Sequence, residues 1–455
     1  MGSLNRVATV KSNLRVDEVA LSNFYQAIAR LIEQINDARD NDVRFIQELA
    51  GKPPFALIDW LEAQPIFPKF YWQSRDTREE VVALGQLYTF SDPAPAYAIV
   101  GEHQRIWGGR SFDGQTEKNP RCMASFFFLP QVELIRFDDH WSIAANINQD
   151  RQRTCATLQR LQHEVVPLGA ICSDVMQVKH FPNQVDWTKI VQQALDGIER
   201  SALQKVVLAR QSRIMLNQPI RAAQLLKASA LENHESFHFL LALDHRHSFI
   251  GSTPERLYYR NGQELQTEAL AGTIGRGGDP LQDKQLADWL THDSKNLNEN
   301  QFVVDDIIER LTPYSELVRV EPQANLVRLR KVQHLKRRIY AQLKAGVNAV
   351  QLLRALQPTA AVAGLPRQAA LSFITQHEPF VRGWYAGSMG YFSHQQAEFC
   401  VAIRSALVVD DEVQLFAGAG IVPGSIAEHE WQELDKKMST LLSLMTDRLP
   451  LGLSS

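Results

Sequence analysis

The stretch Gln414-Leu415-Phe416-Ala417-Gly418-Ala419-Gly420-Ile421-Val422, with Glu430-Trp431-Gln432-Glu433 downstream, is the most telling part of this chain. It reads as a β-strand running into a bare glycine turn, then a helix with acidic groups in its first turn. Glycines remove side chains where something must come close to backbone N–H groups. Carboxylates beside such an anion-friendly turn repel anions unless a cation stands between them. The combination points to a small anionic substrate clamped through a hard metal ion such as Mg²⁺.

The 455 residues suffice for one large domain or two ordinary ones with an ample core. An apolar fraction of 45% and a charged fraction of 22% are those of a globular protein. A net charge of −3 gives no electrostatic case for nucleic acid or a membrane surface. The apolar run Ala124–Leu129 is strand-sized and stops at Pro130, far short of a bilayer span. Met1–Arg6 leads into polar sequence without the apolar core of a signal peptide. Cys122, Cys155, Cys172 and Cys400 are scattered, with no CxxC and no metal spacing. They are expected to be reduced, buried thiols in a cytoplasmic protein.

Residues 1–185 read as the variable N-terminal part of the fold: helix, then short strands with the aromatic clusters Lys69–Trp72 and Arg105–Gly108. From Asp186, taken as the N-cap of a helix with Trp187, Ile190, Val191, Ala194, Leu195 and Ile198 on one face, the motifs crowd together. Residues 186–450 therefore read as the catalytic domain. Strands are expected at Lys205–Ala209, Phe237–Leu243, Phe249–Ser252, Phe399–Arg404 and Val413–Ala417. Helices are expected at Asp283–Thr291, Leu297–Leu311, Val332–Lys344 and Glu428–Met445. The two types do not alternate, which predicts an α+β fold of large antiparallel sheets flanked by helices.

Each candidate side chain has a plain reading beside its chemical one. Alternation puts Lys205 on the face of Val207 and Ala209, where desolvation would suit a general base; it also suits a strand-end lysine reaching water. Glu255 follows the strand and proline turn Phe249–Pro254, as a general acid or as an ion-pair partner of Arg256. Thr267–Thr273 is a second strand-to-glycine turn, either a backbone-lined wall or a loop. Glu299 flanks the apolar stripe of its helix, and Glu430, Glu433 and Lys437 share a face of the last helix. Two such carboxylates meeting across a cleft would make an open Mg²⁺ site, whereas apart they are solvated helix flanks. Arg404, above Ala402 and Cys400, suits bidentate carboxylate binding or a structural pair with Glu398. Trp384–Tyr391 offers a phenol, Tyr385, and more bare backbone. No P-loop, dinucleotide fingerprint or HExxH is present.

In this order the motifs resemble the chorismate-utilising enzymes: isochorismate, salicylate, anthranilate and aminodeoxychorismate synthases. The resemblance runs from about Asp186 to Leu444 through the blocks Lys205–Arg210, Gly251–Leu257, Thr267–Thr273, Lys295–Ile307, Gln357–Arg367, Trp384–Tyr391, Cys400–Arg404, Phe416–Val422 and Glu430–Lys437. It implies the anthranilate synthase component I-like fold, an active site in the cleft between sheets, and a Mg²⁺ requirement. Amine-forming relatives that use a covalent lysine place it where this chain has Ala271. Ammonia-using relatives usually carry glutamine where Lys205 stands, so Lys205 resembles the base that activates water. Gln357–Arg367 and Phe70–Gln73 look like the menaquinone-pathway isochorismate synthases; many siderophore-pathway relatives have histidine at Gln357.

The resemblance implies an isomerase that adds water at C2 of chorismate and expels the C4 hydroxyl. Lys205 would activate the water and Glu255 would protonate the departing hydroxyl. Glu299 and Glu433 would hold Mg²⁺ against the ring carboxylate. Arg404, Tyr385 and backbone N–H groups near Ala419 and Gly420 would grip the enolpyruvyl carboxylate. Gly272 and Thr273 would wall the site, and Lys437 would add positive charge near the ring carboxylate. Asparagines at 296, 298 and 300 replace the Asp and Glu-His pair that relatives often carry, with Glu299 retained. The nearest alternatives are a salicylate synthase, which would go on to eliminate pyruvate, and a siderophore-pathway isochorismate synthase. No glutaminase subunit is expected; monomer and homodimer remain open.

Overall fold

In the strand Lys205–Leu216, with sequence KVVLARQSRIML, ten of twelve residues are buried, as a central strand covered on both faces requires. The computed structural model describes residues 2–114, 124–148, 150–329 and 332–446. Within them this strand pairs antiparallel with Glu412–Ile421, with Gly364–Leu365 and with Val175–Phe181. It belongs to a 12-stranded sheet that continues through Ser405–Val409, His247–Thr253 and Phe237–Ala242. There the chain's early strands take over, beginning with Lys69–Gln73 and ending at Arg44–Glu48.

A 10-stranded sheet is built the same way. Val332–Leu343, Glu264–Gly275, Arg256–Asn261, Gln396–Val401 and Ser388–Phe392 lie in that order, and Ile106–Arg110 extends them. Early and late strands thus share both sheets. One seam pairs Leu240 with Tyr71; the other pairs Gly390 with Gly108. The aromatic clusters sit at these seams. Phe70 and Trp72 of the first sheet meet Trp107 and Tyr391 of the second, with Phe70–Trp107 centroids 5.4 Å apart and Trp107–Tyr391 centroids 4.9 Å apart. Burying each such ring contributes roughly 2–3 kcal/mol by area, plus ~1 for the ring pairing. That contact ties the two sheets together.

Helices pack on the sheets, and two of them, Ser294–Leu311 and Ala427–Leu442, contribute acidic residues to the cleft. Ser294–Leu311 is capped by Asp293 and buries Val303, Val304, Ile307 and Leu311, which leaves Glu299 on its flank. Ala427–Leu442 buries Trp431, Leu434, Met438 and Leu441. The helix Gln184–Glu199 is capped by Asn183, whose side chain accepts from the Asp186 amide, so Asp186 lies inside the first turn rather than at the cap.

Two further expectations are corrected. Val332–Lys344 is no helix: Val332–Leu343 is a strand paired with Glu264–Gly275. Its apolar residues at 332, 335, 339 and 343 match a helical stripe, but Ile339, Ala341 and Leu343 also alternate, and long-range pairing decides between the periods. The glycines of Gly418-Ala419-Gly420 lie within the strand Glu412–Ile421, and the turn falls after it. Of the described cysteines, all free, Cys400 is buried, Cys155 is partly so and Cys172 is exposed; Cys122 lies outside the described residues.

Candidate active site

Where the sheets part, they enclose a cavity of ≈ 320 Å³. Glu255, Gly272, Thr273, Glu299, Tyr385, Arg404, Gly420, Glu433 and Lys437 all line it, so most of the predicted residues converge from distant positions. Lys205 and Ala419 are not on its wall. Lys205 stands directly behind it, fully buried, with Nζ 2.9 Å from Glu299 Oε1.

The glycines make room for these groups. A Cβ on Gly420 would lie 2.8 Å from Glu299 Oε1 and 3.1 Å from Lys205 Cε; one on Gly418 would lie 2.9 Å from Tyr385 Oη. Ala419 alternates to the opposite face and is buried in the core. Val207 and Ala209 send their N–H groups to Ala363 O and Glu378 Oε1, away from the glycine strand. The ladder bonds therefore fall on Leu208, whose partner is Ala419. Lys437 Nζ donates to Gly418 O at 2.8 Å and pairs with Glu433 Oε1 at 2.7 Å.

Glu255 emerges from the strand His247–Thr253 after Pro254 and is only 3% exposed. Arg256 turns away to Glu398, 2.8 Å distant, so the ion pair considered for Glu255 is not made. Burial, then the nearby Glu268 carboxylate, pushes the Glu255 pKa up to about 8, against the pull of Lys205, Lys437 and Arg404. Its carboxyl is thereby held toward the protonated form inside the cleft.

Arg404 follows the strand Gln396–Val401 at φ +49 and makes no salt bridge among the described residues. Glu398, its alternative partner, is held by Arg256. Instead Arg404 Nη2 donates to His334 Nε2 at 2.8 Å, which leaves the proton on Nδ1 to donate to Thr273 Oγ1 at 2.9 Å. Burial, then Arg404 and Lys437, holds His334 well below the usual imidazole range, so it stays neutral. Burial brings the Arg404 pKa down to about 10, which leaves it a cation. Sequence reasoning missed His334, because a helix over Val332–Lys344 assigns it no site; its position two residues after Val332 on an alternating strand was the available signal.

Gly272 sits at φ +86 where the pairing of Glu264–Gly275 with Val332–Leu343 slips between Leu270 and Thr273. This is a bulge inside a strand, not a terminal turn. The asparagines hold it. Asn296 Oδ1 accepts from Thr273 N at 3.1 Å, and Asn300 Nδ2 reaches Ala269 O, Ala271 O and Leu335 O. These contacts give Asn296 and Asn300 a structural duty beside Glu299.

Glu299, Glu430 and Glu433 line the cavity together. Burial, then Glu433, raises the Glu430 pKa, so a cation here would relieve mutual repulsion. Burial opposes ionisation of Glu299, but Lys205, with Lys437 and Lys295, brings its pKa below the ordinary value. The donors are carboxylate oxygens, the set a hard cation takes. Among the described residues no three His, Cys, Asp or Glu side chains converge on one metal position.

The "Chorismate binding enzyme" family profile matches residues 95–446. The chain is 38% identical to isochorismate synthase MenF of Escherichia coli (strain K12) over 436 residues, covering 94% of this chain and 98% of that protein. The solved structure of MenF, the menaquinone-specific isochorismate synthase from Escherichia coli, superposes with a TM-score of 0.85 at 37% identity, covering 93% of this chain and all of that one. Anthranilate synthase component I from Streptococcus pneumoniae TIGR4, at 20% identity and a TM-score of 0.64, shares the fold of two large antiparallel sheets with helices. The chain belongs to the chorismate-binding enzyme family.

Proposed function

We propose that this chain is an isochorismate synthase of the menaquinone-pathway type, interconverting chorismate and isochorismate. What carries the reading is one cleft lined by the buried Glu255 and Arg404, with the buried Lys205 directly behind it. Similarity to an isochorismate synthase over nearly the whole of both chains supports the same activity.

The arrangement divides the work among this chain's residues. Lys205 takes a proton from water as the C2–O bond forms; the two ring double bonds shift, and the C4–O bond breaks. Glu255 delivers its proton to the departing hydroxyl, so one water enters and one leaves. Acid and base placed in this way each contribute typically ~10²–10⁴-fold. Arg404, oriented by His334, holds the enolpyruvyl carboxylate, with Tyr385 and the Gly420 backbone beside it. Gly272 and Thr273 wall the ring, and Lys437 adds positive charge near the ring carboxylate. Glu299 and Glu433 would hold Mg²⁺, which when bound neutralises that carboxylate and withdraws electron density from the diene.

The strand and helices that carry these groups lie within residues 186–450, while residues 1–185 complete both sheets. No helix among the described residues is long and apolar enough to cross a membrane, and free cysteines fit a reducing cytoplasm. Incubation with chorismate and Mg²⁺, resolved by HPLC, tests the reading. Isochorismate without pyruvate supports it; salicylate with pyruvate would replace it with a salicylate synthase.

A further inference from the structure

The turn that presents Glu255 is held from both sides by one ion pair. Arg75 follows the early strand Lys69–Gln73 and reaches across to Glu268, on the strand that forms the Gly272 wall. Its Nη1 and Nη2 bind Glu268 Oε1 and Oε2 at 2.5 and 3.0 Å. Arg75 Nη1 also donates to Pro254 O at 2.6 Å, and Glu268 Oε1 accepts from Arg256 N at 3.0 Å. The residues immediately before and after Glu255 are thus tied to the same pair. Val401 N fixes the carbonyl of Glu255 itself at 3.0 Å.

We propose that Arg75 and Glu268 are positioning residues for Glu255, acting through the Pro254–Arg256 turn. The proposal rests on the assignment of Glu255 as the general acid. It gives the N-terminal segment a share in the chemistry. A bidentate arginine–carboxylate pair fixes direction as well as distance, and a general acid misplaced by an ångström loses much of its effect.

The pair also sets a charge. Burial would raise the Glu268 pKa, but Arg75, with Lys336 and the Arg256 amide, keeps it below the ordinary carboxylate range. Glu268 is therefore a fixed anion beside Glu255. The other groups facing Glu255 are Lys205, Lys437 and Arg404, which favour its ionised form, and Tyr385 and Cys400, both neutral at pH 7. Of these, only Glu268 opposes ionisation by charge. Removing it takes away that opposing charge, and Glu255 loses its proton at lower pH.

The test is the pH dependence of kcat and KM for the full-length Glu268→Gln, Arg75→Met and Arg75→Lys variants with chorismate and Mg²⁺, beside Glu255→Gln. The alkaline limb of kcat in Glu268→Gln should move to lower pH by about one unit. Arg75→Met should lose roughly tenfold or more in kcat, with KM changing much less, and Arg75→Lys should recover part of it. Wild-type kcat and an unmoved limb in these variants, with Glu255→Gln inactive, would overturn the positioning role alone. Wild-type turnover by Glu255→Gln would overturn the acid assignment beneath it. If Arg75→Met does not fold, the limb in the near-isosteric Glu268→Gln decides.

Discussion

Lys205 Nζ and Glu299 Oε1 are 2.9 Å apart, and the pair occupies the space that a side chain at residue 420 would need. The expected base and the expected metal ligand are therefore neighbours, fitted around a missing Cβ.

Gly420→Ala tests that fit. The new methyl would sit 2.8 Å from Glu299 Oε1 and 3.1 Å from Lys205 Cε, both on flexible side chains. The fold should survive with a loss of about 1–2 kcal/mol, while the two groups are pushed off position. A fall in kcat of ~10²-fold is expected, with thermal melting nearly unchanged. Near-normal kcat would show that the Lys205–Glu299 placement is not critical.

Lys205→Ala and Glu255→Ala should each lower turnover by ~10²–10⁴-fold while leaving a folded protein, judged by circular dichroism and steady-state kinetics. Lys205→Ala strands the Glu299 carboxylate without its close partner, so it is the variant expected to melt earlier. Wild-type rates in either would remove that residue from the acid–base pair.

The pH profile follows from Glu255. Its pKa is raised to about 8, so the neutral, proton-donating form dominates below that value and is lost above it. Turnover should fall as pH rises through about 8, about tenfold per unit well beyond it. Activity that stays level to pH 10 would contradict Glu255 as the acid.

Glu433→Ala removes one proposed metal ligand and frees Lys437, its 2.7 Å partner. The Mg²⁺ concentration for half-maximal rate should rise by roughly 10–100-fold, and EDTA should abolish activity of the parent protein. An unchanged Mg²⁺ titration would exclude Glu433 from the metal site.

Residues on strand ends and helix flanks were legible in the sequence because local spacing fixes which face they occupy. Glu255, Glu299 and Glu433 belong to that class, and all line the cavity. What escaped depended on pairing between distant segments. His334 was hidden by a helical stripe that long-range pairing with Glu264–Gly275 turned into a strand. The glycines of 418 and 420 were read as a turn because their need is set by Lys205, Glu299 and Tyr385, none of them nearby in sequence. Arg75 carries no local signal, since its partners Pro254 and Glu268 lie 179 and 193 residues further along the chain.

In the proposed reaction, water from solvent becomes the C2 hydroxyl while the C4 hydroxyl leaves. Turnover of chorismate in ¹⁸O-water, followed by mass spectrometry of the isolated product, tests it most directly. One ¹⁸O is expected in isochorismate, at C2, with label at C4 of chorismate recovered through the reverse reaction. Isochorismate free of label would mean that the hydroxyl moves within the molecule, and Lys205 would then activate no water.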